Sequence, residues 1–273
     1  MKKRTLLSLA LVAFLAVSCY DNGNHTQGVY LYGLSKIESN YHETNRTVTI
    51  TNNFDLVNVS GMSGMPRLAS QTITGDTLTR IEYTYRPGKD NKDSLVLKRY
   101  ATNGRIWKDS LLLNDKRMAV AAISEDGTIT QYGLRYSDKS MRTMVGEYQI
   151  SSDQGLSQGL YREASKDGVP VATYTYSSSP NLIGVQQLTI LGDPYYWQSS
   201  CFGEQSELLL FTATVTENGE KVKYQFNYTF DSDGLMSTEI ITRNDKPYLR
   251  NIYTYTRWLV SNGGGSKAVK TTF

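Results

Sequence analysis

The sequence predicts an all-β protein, an antiparallel meander of hairpins that forms a curled sheet or a barrel-like single domain. Three observations predict this fold class. Apolar and polar residues alternate with period two along several segments, as on strands with one buried face. Asn-Gly and Asp-Gly dipeptides recur between those segments, and they favour the tight turns that join antiparallel strands. The connections are also too short for the helical crossovers that parallel sheets need.

Composition excludes several classes of protein. The 273 residues include 29 Lys and Arg against 26 Asp and Glu, and the excess of three equals Lys2, Lys3 and Arg4. The rest of the chain is nearly neutral, so we expect no nucleic-acid partner, which would need a basic face. With 20% charged and 11% aromatic residues the chain is not a disordered tail protein. Two Cys and two His offer little for a disulfide scaffold, a metal site or a catalytic triad. We therefore expect no enzymatic activity and no cofactor.

Residues 1–18 are predicted to be a signal peptide. Basic residues 1–4 precede the apolar run 5–17, and small residues lead into Cys19. As a helix this run would span about 20 Å, short of the ~30 Å hydrocarbon core of a bilayer. The sequence therefore indicates a cleaved export signal rather than a membrane span.

Cys19 is the predicted lipid-attachment residue. The segment Leu15-Ala16-Val17-Ser18-Cys19 resembles the lipobox of bacterial lipoproteins, although the usual Leu at the third position before the cysteine is Ala16 here. The resemblance implies anchoring to a membrane through acyl chains. Tyr20 occupies the position at which the inner-membrane retention signal of lipoproteins has Asp. The resemblance therefore implies that the protein is located at the outer membrane of a Gram-negative bacterium, on its periplasmic or surface face. Two alternatives stay open: an ordinary cleavage after Ser18, and a disulfide with Cys201.

Beyond the signal, we assign residues 19–45 to a lipidated tether and lead-in, 46–261 to the antiparallel β domain, and 262–273 to a flexible tail. The period-two segments of the β domain are Thr79–Tyr85, Ala172–Tyr176, Gln186–Leu191, Val222–Phe230 and Leu249–Tyr255, and Glu207–Val215 has a continuous apolar block. The turn dipeptides between strands are Asn103-Gly104, Asp126-Gly127, Asp167-Gly168, Asn218-Gly219 and Asp233-Gly234.

A short aromatic motif repeats along this domain. Its copies are Tyr83-Thr84-Tyr85, Tyr174-Thr175-Tyr176, Tyr228-Thr229-Phe230 and Tyr253-Thr254-Tyr255. On a strand the two aromatic residues share a face. The segment from Tyr228 to Leu235 resembles the tyrosine-aspartate repeat of hairpin-rich bacterial envelope proteins. The region from about Asp76 to Trp258 resembles a domain-of-unknown-function family of envelope lipoproteins described as porin-like. This resemblance implies a curled antiparallel sheet or barrel on a lipid tether, and it supplies no activity.

Motifs for catalysis or metal binding are weak. Asp231-Ser232-Asp233-Gly234 hints at a calcium loop, but Leu235 and Met236 stand where an EF-hand needs a ligand and a glycine, so we interpret it as a hairpin turn. His25 and His42 both lie near the N-terminus, without a nucleophile motif to join them. Two facing carboxylates would suffice for a glycosidase, and no sequence motif excludes that arrangement.

Asp193-Pro194-Tyr195-Tyr196-Trp197 is the one candidate ligand-binding segment. Three consecutive aromatic residues cannot all face one side of a strand, so at least one is expected to be exposed or to cover the end of the sheet. Tyr195, Tyr196 and Trp197 could stack on a sugar or clasp a peptide, or they could simply close the sheet.

The expected role is non-enzymatic binding or scaffolding at the cell envelope, with a glycan or an envelope protein as partner. A glycan-binding or glycan-processing accessory protein is the main alternative. An integral barrel is the other, and Lys98 and Arg99 argue against it because they place charge on both faces of Leu95–Tyr100.

Overall fold

The computed structural model describes residues 16–17, 28–59, 62–86, 94–114, 118–124, 129–130, 135–137, 142–145, 147–153, 160–182, 206–261 and 271–272. These residues form nineteen strands in one sheet and no helix. The strands are β1 (Ala16–Val17), β2 (Gly28–Tyr41), β3 (Arg46–Val59), β4 (Met62–Thr74), β5 (Leu78–Arg86), β6 (Ser94–Ala101), β7 (Ile106–Leu113), β8 (Ala119–Ser124), β9 (Ile129–Thr130), β10 (Arg135–Tyr136), β11 (Arg142–Val145), β12 (Tyr148–Asp153), β13 (Leu160–Lys166), β14 (Val169–Pro180), β15 (Leu208–Glu217), β16 (Glu220–Phe230), β17 (Met236–Arg243), β18 (Lys246–Ser261) and β19 (Thr271–Thr272). The predicted all-β class is confirmed.

The sheet is a meander in two halves that meet at one seam. Successive strands pair antiparallel from β2 to β9 and again from β10 to β18, and β18 pairs antiparallel with β2. That seam is long, running from Leu249 opposite Tyr41 to Ser261 opposite Gly28. Strands β9 and β10 are the two edges, and no pairing joins them among the described residues. The sheet formed by the described residues is therefore not closed into a barrel.

Two short strands, β1 and β19, pair with the seam strands β2 and β18. β1 lies within the predicted signal peptide and pairs with β2, with Ala16 opposite Leu31. β19 pairs with β18, with Thr256 opposite Thr272. Because β2 begins at Gly28, the sheet starts inside the segment 19–45 that the sequence assigns to the tether and lead-in.

Alternation of side chains sets the two faces, as β16 shows. Val222, Tyr224 and Phe226 are buried, while Lys223 between them is exposed. The pattern fails only at the end of the strand, where Phe230 is 41% exposed. The pairing of β16 with β17 shifts register between Thr229 and Phe230, so the last residue no longer follows the strand's alternation.

The repeated aromatic motif lines the interior. Its first tyrosine is buried in three copies, Tyr83, Tyr174 and Tyr253, and the threonine between the aromatic residues points to the other face. Buried hydroxyls need hydrogen-bond partners. Tyr228 donates to the Leu210 carbonyl at 2.7 Å, and Tyr255 donates to the Met236 carbonyl at 2.5 Å. The core thus combines aliphatic packing with hydrogen bonds from tyrosines.

Six of the strand connections lie at one end of the sheet, which we call the turn end. The antiparallel order places there the β2–β3, β4–β5, β6–β7, β13–β14, β15–β16 and β17–β18 connections. Asp167 and Gly168 both have positive φ, as do Asn218 and Gly219, which is the type I′ pattern of two-residue hairpins. Asn244 and Asp245 form a further positive-φ pair that the dipeptide rule does not identify. Asp126-Gly127 lies outside the described residues.

Candidate functional site

The residues that the sequence predicts for lipid attachment and ligand binding lie outside the described part of the chain. They are Cys19 and the aromatic segment Tyr195, Tyr196 and Trp197, and Cys201 and His25 lie outside it as well. Their roles stay predictions.

The Asp231–Gly234 segment is a hairpin turn, as we interpret it from the sequence. Asp231 Oδ1 accepts hydrogen bonds from the backbone N–H groups of Asp233 at 2.9 Å and Leu235 at 2.8 Å. The carboxylate thereby caps the turn. His42 is exposed in the β2–β3 turn. Within the described ranges no group of three or more His, Cys, Asp or Glu side chains is placed to hold a metal ion.

A buried carboxyl group lies on the inner face of β17. Glu239 is 4% exposed, and its Oε2 accepts hydrogen bonds from Asn251 Nδ2 at 2.7 Å and from the Tyr253 hydroxyl at 2.8 Å. Ser39 donates to Asn251 Oδ1 at 2.7 Å, which extends the network across the seam to β2. Burial raises the pKa of Glu239, and the two hydrogen bonds only partly oppose it. We call Ser39, Glu239, Asn251 and Tyr253 the inner network.

A second row of hydrogen-bonded polar side chains lies where β3 stops pairing with β2. Tyr83 donates to Gln71 Oε1 at 2.6 Å, and Gln71 Nε2 donates to Asn52 Oδ1 at 2.9 Å. Asn52 Nδ2 then donates to the Leu34 carbonyl at 2.7 Å. Pairing of β2 with β3 ends at Lys36 opposite Thr51, so the Asn52 side chain supplies a hydrogen bond just beyond the last paired residues.

Charged side chains tie three strands together at the turn end. Arg243 on β17 contacts Glu217 on β15 at 2.6 Å and Glu43 of the β2–β3 turn at 3.7 Å. Tyr224 on β16 donates to Glu217 and accepts from Arg243 Nε at 3.3 Å. Burial, with the Glu217 carboxylate beside it, raises the pKa of Tyr224 to about 12. Burial opposes ionisation of Glu217, but the hydrogen bonds from Tyr224 and Arg243 outweigh it and lower the pKa of that carboxyl. We call Glu43, Glu217, Tyr224 and Arg243 the Arg243 cluster. Its charged groups pair with one another and link the strands at the turn end.

The outward face of the sheet is mostly hydrophilic, with single exposed apolar side chains such as Ile106 and Ile240. Threonines oppose one another across β3 and β4, with Thr49 opposite Thr74 and Thr51 opposite Thr72, and the β14–β15 pair repeats this arrangement. On β16 the outward positions hold Lys221, Lys223, Gln225, Asn227 and Thr229. Lys98 also points outward, whereas Arg99 pairs with Asp109 on the inner side, so the predicted charge on both faces of β6 is confirmed. The described residues form no helix, and therefore none that could cross a bilayer.

The inner network is the feature that sequence analysis missed. Glu239 precedes Ile240 and Ile241, and a two-residue period is compatible with either isoleucine facing the core. Pairing decides the face, because Glu239 lies opposite Tyr228 and Asn251. The only signal for the inner network in the sequence is the position of Glu239, two residues before Ile241, which is buried in the core.

No protein-family model and no curated protein matches this sequence. A solved structure does match: a porin-like protein from Bacteroides uniformis ATCC 8492, with 20% sequence identity and a TM-score of 0.51. The match covers 81% of this chain and 96% of that protein. At this identity the likeness establishes the fold, and this chain shares the fold of that porin-like protein.

Proposed function

We propose that this chain is an exported envelope protein, anchored to the outer membrane by acyl chains on Cys19, with a non-enzymatic binding or scaffolding role. The observation that carries the proposal is the division of the sheet into a packed inner face and a mostly hydrophilic outward face. A membrane-embedded sheet would need an apolar outward band about 25 Å tall. Outward lysines, threonines and amides on β16 suit water instead, which supports a separate anchor for attachment to a membrane.

Two further observations support this proposal. The leader and the cysteine that follows it have the pattern of an exported lipoprotein. The porin-like neighbour is consistent with a place at the outer membrane. A non-enzymatic role is favoured because the ionisable groups described above, Glu239 and the Arg243 cluster, are engaged in the fold's own hydrogen bonds and ion pairs.

Metabolic labelling with an alkyne fatty acid tests the anchor. The wild-type protein is expected to carry the label and to sediment with outer membranes, because acyl chains contribute about 0.8 kcal/mol per buried methylene. Cys19→Ser should remove the label and release the protein into the soluble fraction.

Cys201→Ser is the matched control, and it should keep both label and sedimentation. An unlabelled wild-type protein, or label that persists in Cys19→Ser, would contradict the lipid anchor. A Cys19→Ser protein that still sediments with membranes would show that the fold itself holds the membrane.

A further inference from the structure

The outward face of β5, β6 and β7 carries a concentrated positive charge. Pairing aligns two rows of side chains across these strands. One row is Arg80, Tyr100 and Ile106, and the next is Glu82, Lys98 and Lys108. We call these six residues the basic surface, and they comprise three cations and one acid.

The only acid of the basic surface is already bound within it. Arg80 forms an ion pair with Glu82 at 2.8 Å, and the Tyr100 hydroxyl donates to Glu82 Oε2 at 2.7 Å. Lys98 Nζ lies 5.0 Å from the centre of the Tyr100 ring, and the Arg80 guanidinium lies 5.8 Å from it. An aromatic ring flanked by cations therefore sits at the centre of the surface.

Lys98 and Lys108 occupy directly opposite positions on β6 and β7. Like charges at opposite positions of an antiparallel pair destabilise the sheet. Among the described residues neither lysine forms an ion pair with an acid. Both are exposed. Lys98 is held by its side-chain hydrogen bond with Tyr100 and by the nearby Glu82 carboxylate. With three cations and one acid, the basic surface still carries a net positive charge, which an anion from outside the chain would neutralise.

We propose that the basic surface binds an acidic polysaccharide. Arg80, Lys98 and Lys108 would contact successive carboxylate or phosphate groups, and Glu82 would accept hydrogen bonds from sugar hydroxyls. Ile106, 51% exposed, adds an apolar contact beside the Tyr100 ring. A flat anionic bilayer fits less well, because Glu82, directly opposite Lys98 on β6, would face the lipid phosphates. The proposal concerns the sheet alone and does not depend on the lipid anchor.

Binding of polygalacturonate to the purified protein tests this proposal, with neutral dextran as the comparison ligand. Wild type is expected to bind the acidic polymer and not the neutral one. Lys98→Gln combined with Lys108→Gln should weaken the apparent Kd roughly tenfold, since two exposed charge contacts are lost. The thermal midpoint of this variant should stay close to that of wild type, because both lysines are exposed and substitutions of exposed surface residues change stability little.

Lys221→Gln combined with Lys223→Gln is the matched control. These two lysines are exposed on the outward side of β16, opposite Thr216 and Thr214, and removing them changes the net charge by the same amount. The control variant should bind the polymer as wild type does.

Three results would overturn the proposal. Equal losses in both double variants would mean that binding follows bulk charge. Binding to phosphatidylglycerol-containing vesicles but not to the polymer would assign the surface to membranes. Loss of polymer binding in Tyr196→Ala with Trp197→Ala, but not in the Lys98 and Lys108 variant, would place the glycan site elsewhere.

Discussion

Glu239 shows how one buried residue links the fold to solvent pH. Its carboxyl group lies in the interior with an amide and a phenol as hydrogen-bond donors, and burial raises its pKa. The native state therefore binds a proton more tightly than the unfolded chain does, in which a Glu titrates near pH 4.3. Linkage then requires the free energy of unfolding to fall as pH rises from about that value through the native pKa.

Glu239→Gln should remove this pH dependence. The glutamine oxygen can accept the same two hydrogen bonds, and the side chain carries no charge to bury. The variant is expected to gain stability relative to wild type as pH rises from about 4 towards neutrality. Urea denaturation at a series of pH values measures the difference. A Glu239→Gln curve parallel to wild type at every pH would contradict the assignment.

Glu217→Gln provides a control of opposite sign. The pKa of Glu217 is lowered in the native state, so its contribution to stability is present above the unfolded pKa and is lost as pH falls through the native pKa. Glu217→Gln should therefore be less stable than wild type at neutral pH, and the two should converge in acid. Equal stabilities of Glu217→Gln and wild type at neutral pH would mean that Arg243 and Tyr224 do not stabilise the ionised form of Glu217.

At the scale of elements, the β4–β5 turn packs closely against the neighbouring hairpin. Gly75 has φ +80°, and a Cβ atom built on it would lie 2.0 Å from the Thr47 carbonyl oxygen. Gly104 in the β6–β7 turn has φ +79° with nothing within 4 Å of its Cβ position. The two glycines thus have nearly the same positive φ and differ in the space around the Cβ position.

Gly75→Ala and Gly104→Ala separate backbone strain from steric clash. Gly104→Ala should cost about 1–2 kcal/mol, the penalty of a left-handed conformation. Gly75→Ala should cost roughly 1–3 kcal/mol more, because the backbone of β3 must also move. Chemical denaturation of both variants gives the comparison. Equal losses would mean that the turn is not held against Thr47.

At the scale of the whole molecule, the seam between β18 and β2 joins the two halves of the sheet. β18 contributes Tyr253, Tyr255 and Trp258 to the core, and Trp258 meets Phe54 edge-on at 5.1 Å between ring centres. Among the described residues no other strand pairing connects the β2–β9 half to the β10–β18 half. The stability of each half should therefore depend on β18.

Two truncations test this dependence. A chain ending after Ser261 loses β19, which has only two residues, and should keep a cooperative thermal transition. A chain ending after Asp245 loses β18 and exposes the edges of β2 and β17, so it should unfold or aggregate. Circular dichroism and size-exclusion chromatography distinguish these outcomes. A folded monomer of the shorter chain would show that each half is stable alone.

Much of the fold follows from local pattern. Four of the five turn dipeptides lie in turns between described strands, and Val222–Phe226 has the predicted buried and exposed faces. The start of the sheet at Gly28 was harder to predict, because Gly28–Tyr41 mixes apolar and polar residues and its partners lie far away in sequence. Long-range pairing, rather than local preference, makes that segment a strand.

The sequence by itself determined the all-β class, the antiparallel meander and several of its strands and turns, because these depend on neighbouring residues whose alternation and turn preferences are local. Only the tertiary structure decided that β18 meets β2, that Glu239 is enclosed beside Asn251 and Tyr253, and that Lys98 faces Lys108. Each of these depends on register between paired strands. A shift of one residue would turn every side chain to the opposite face, and that register is set by the packing of the whole sheet.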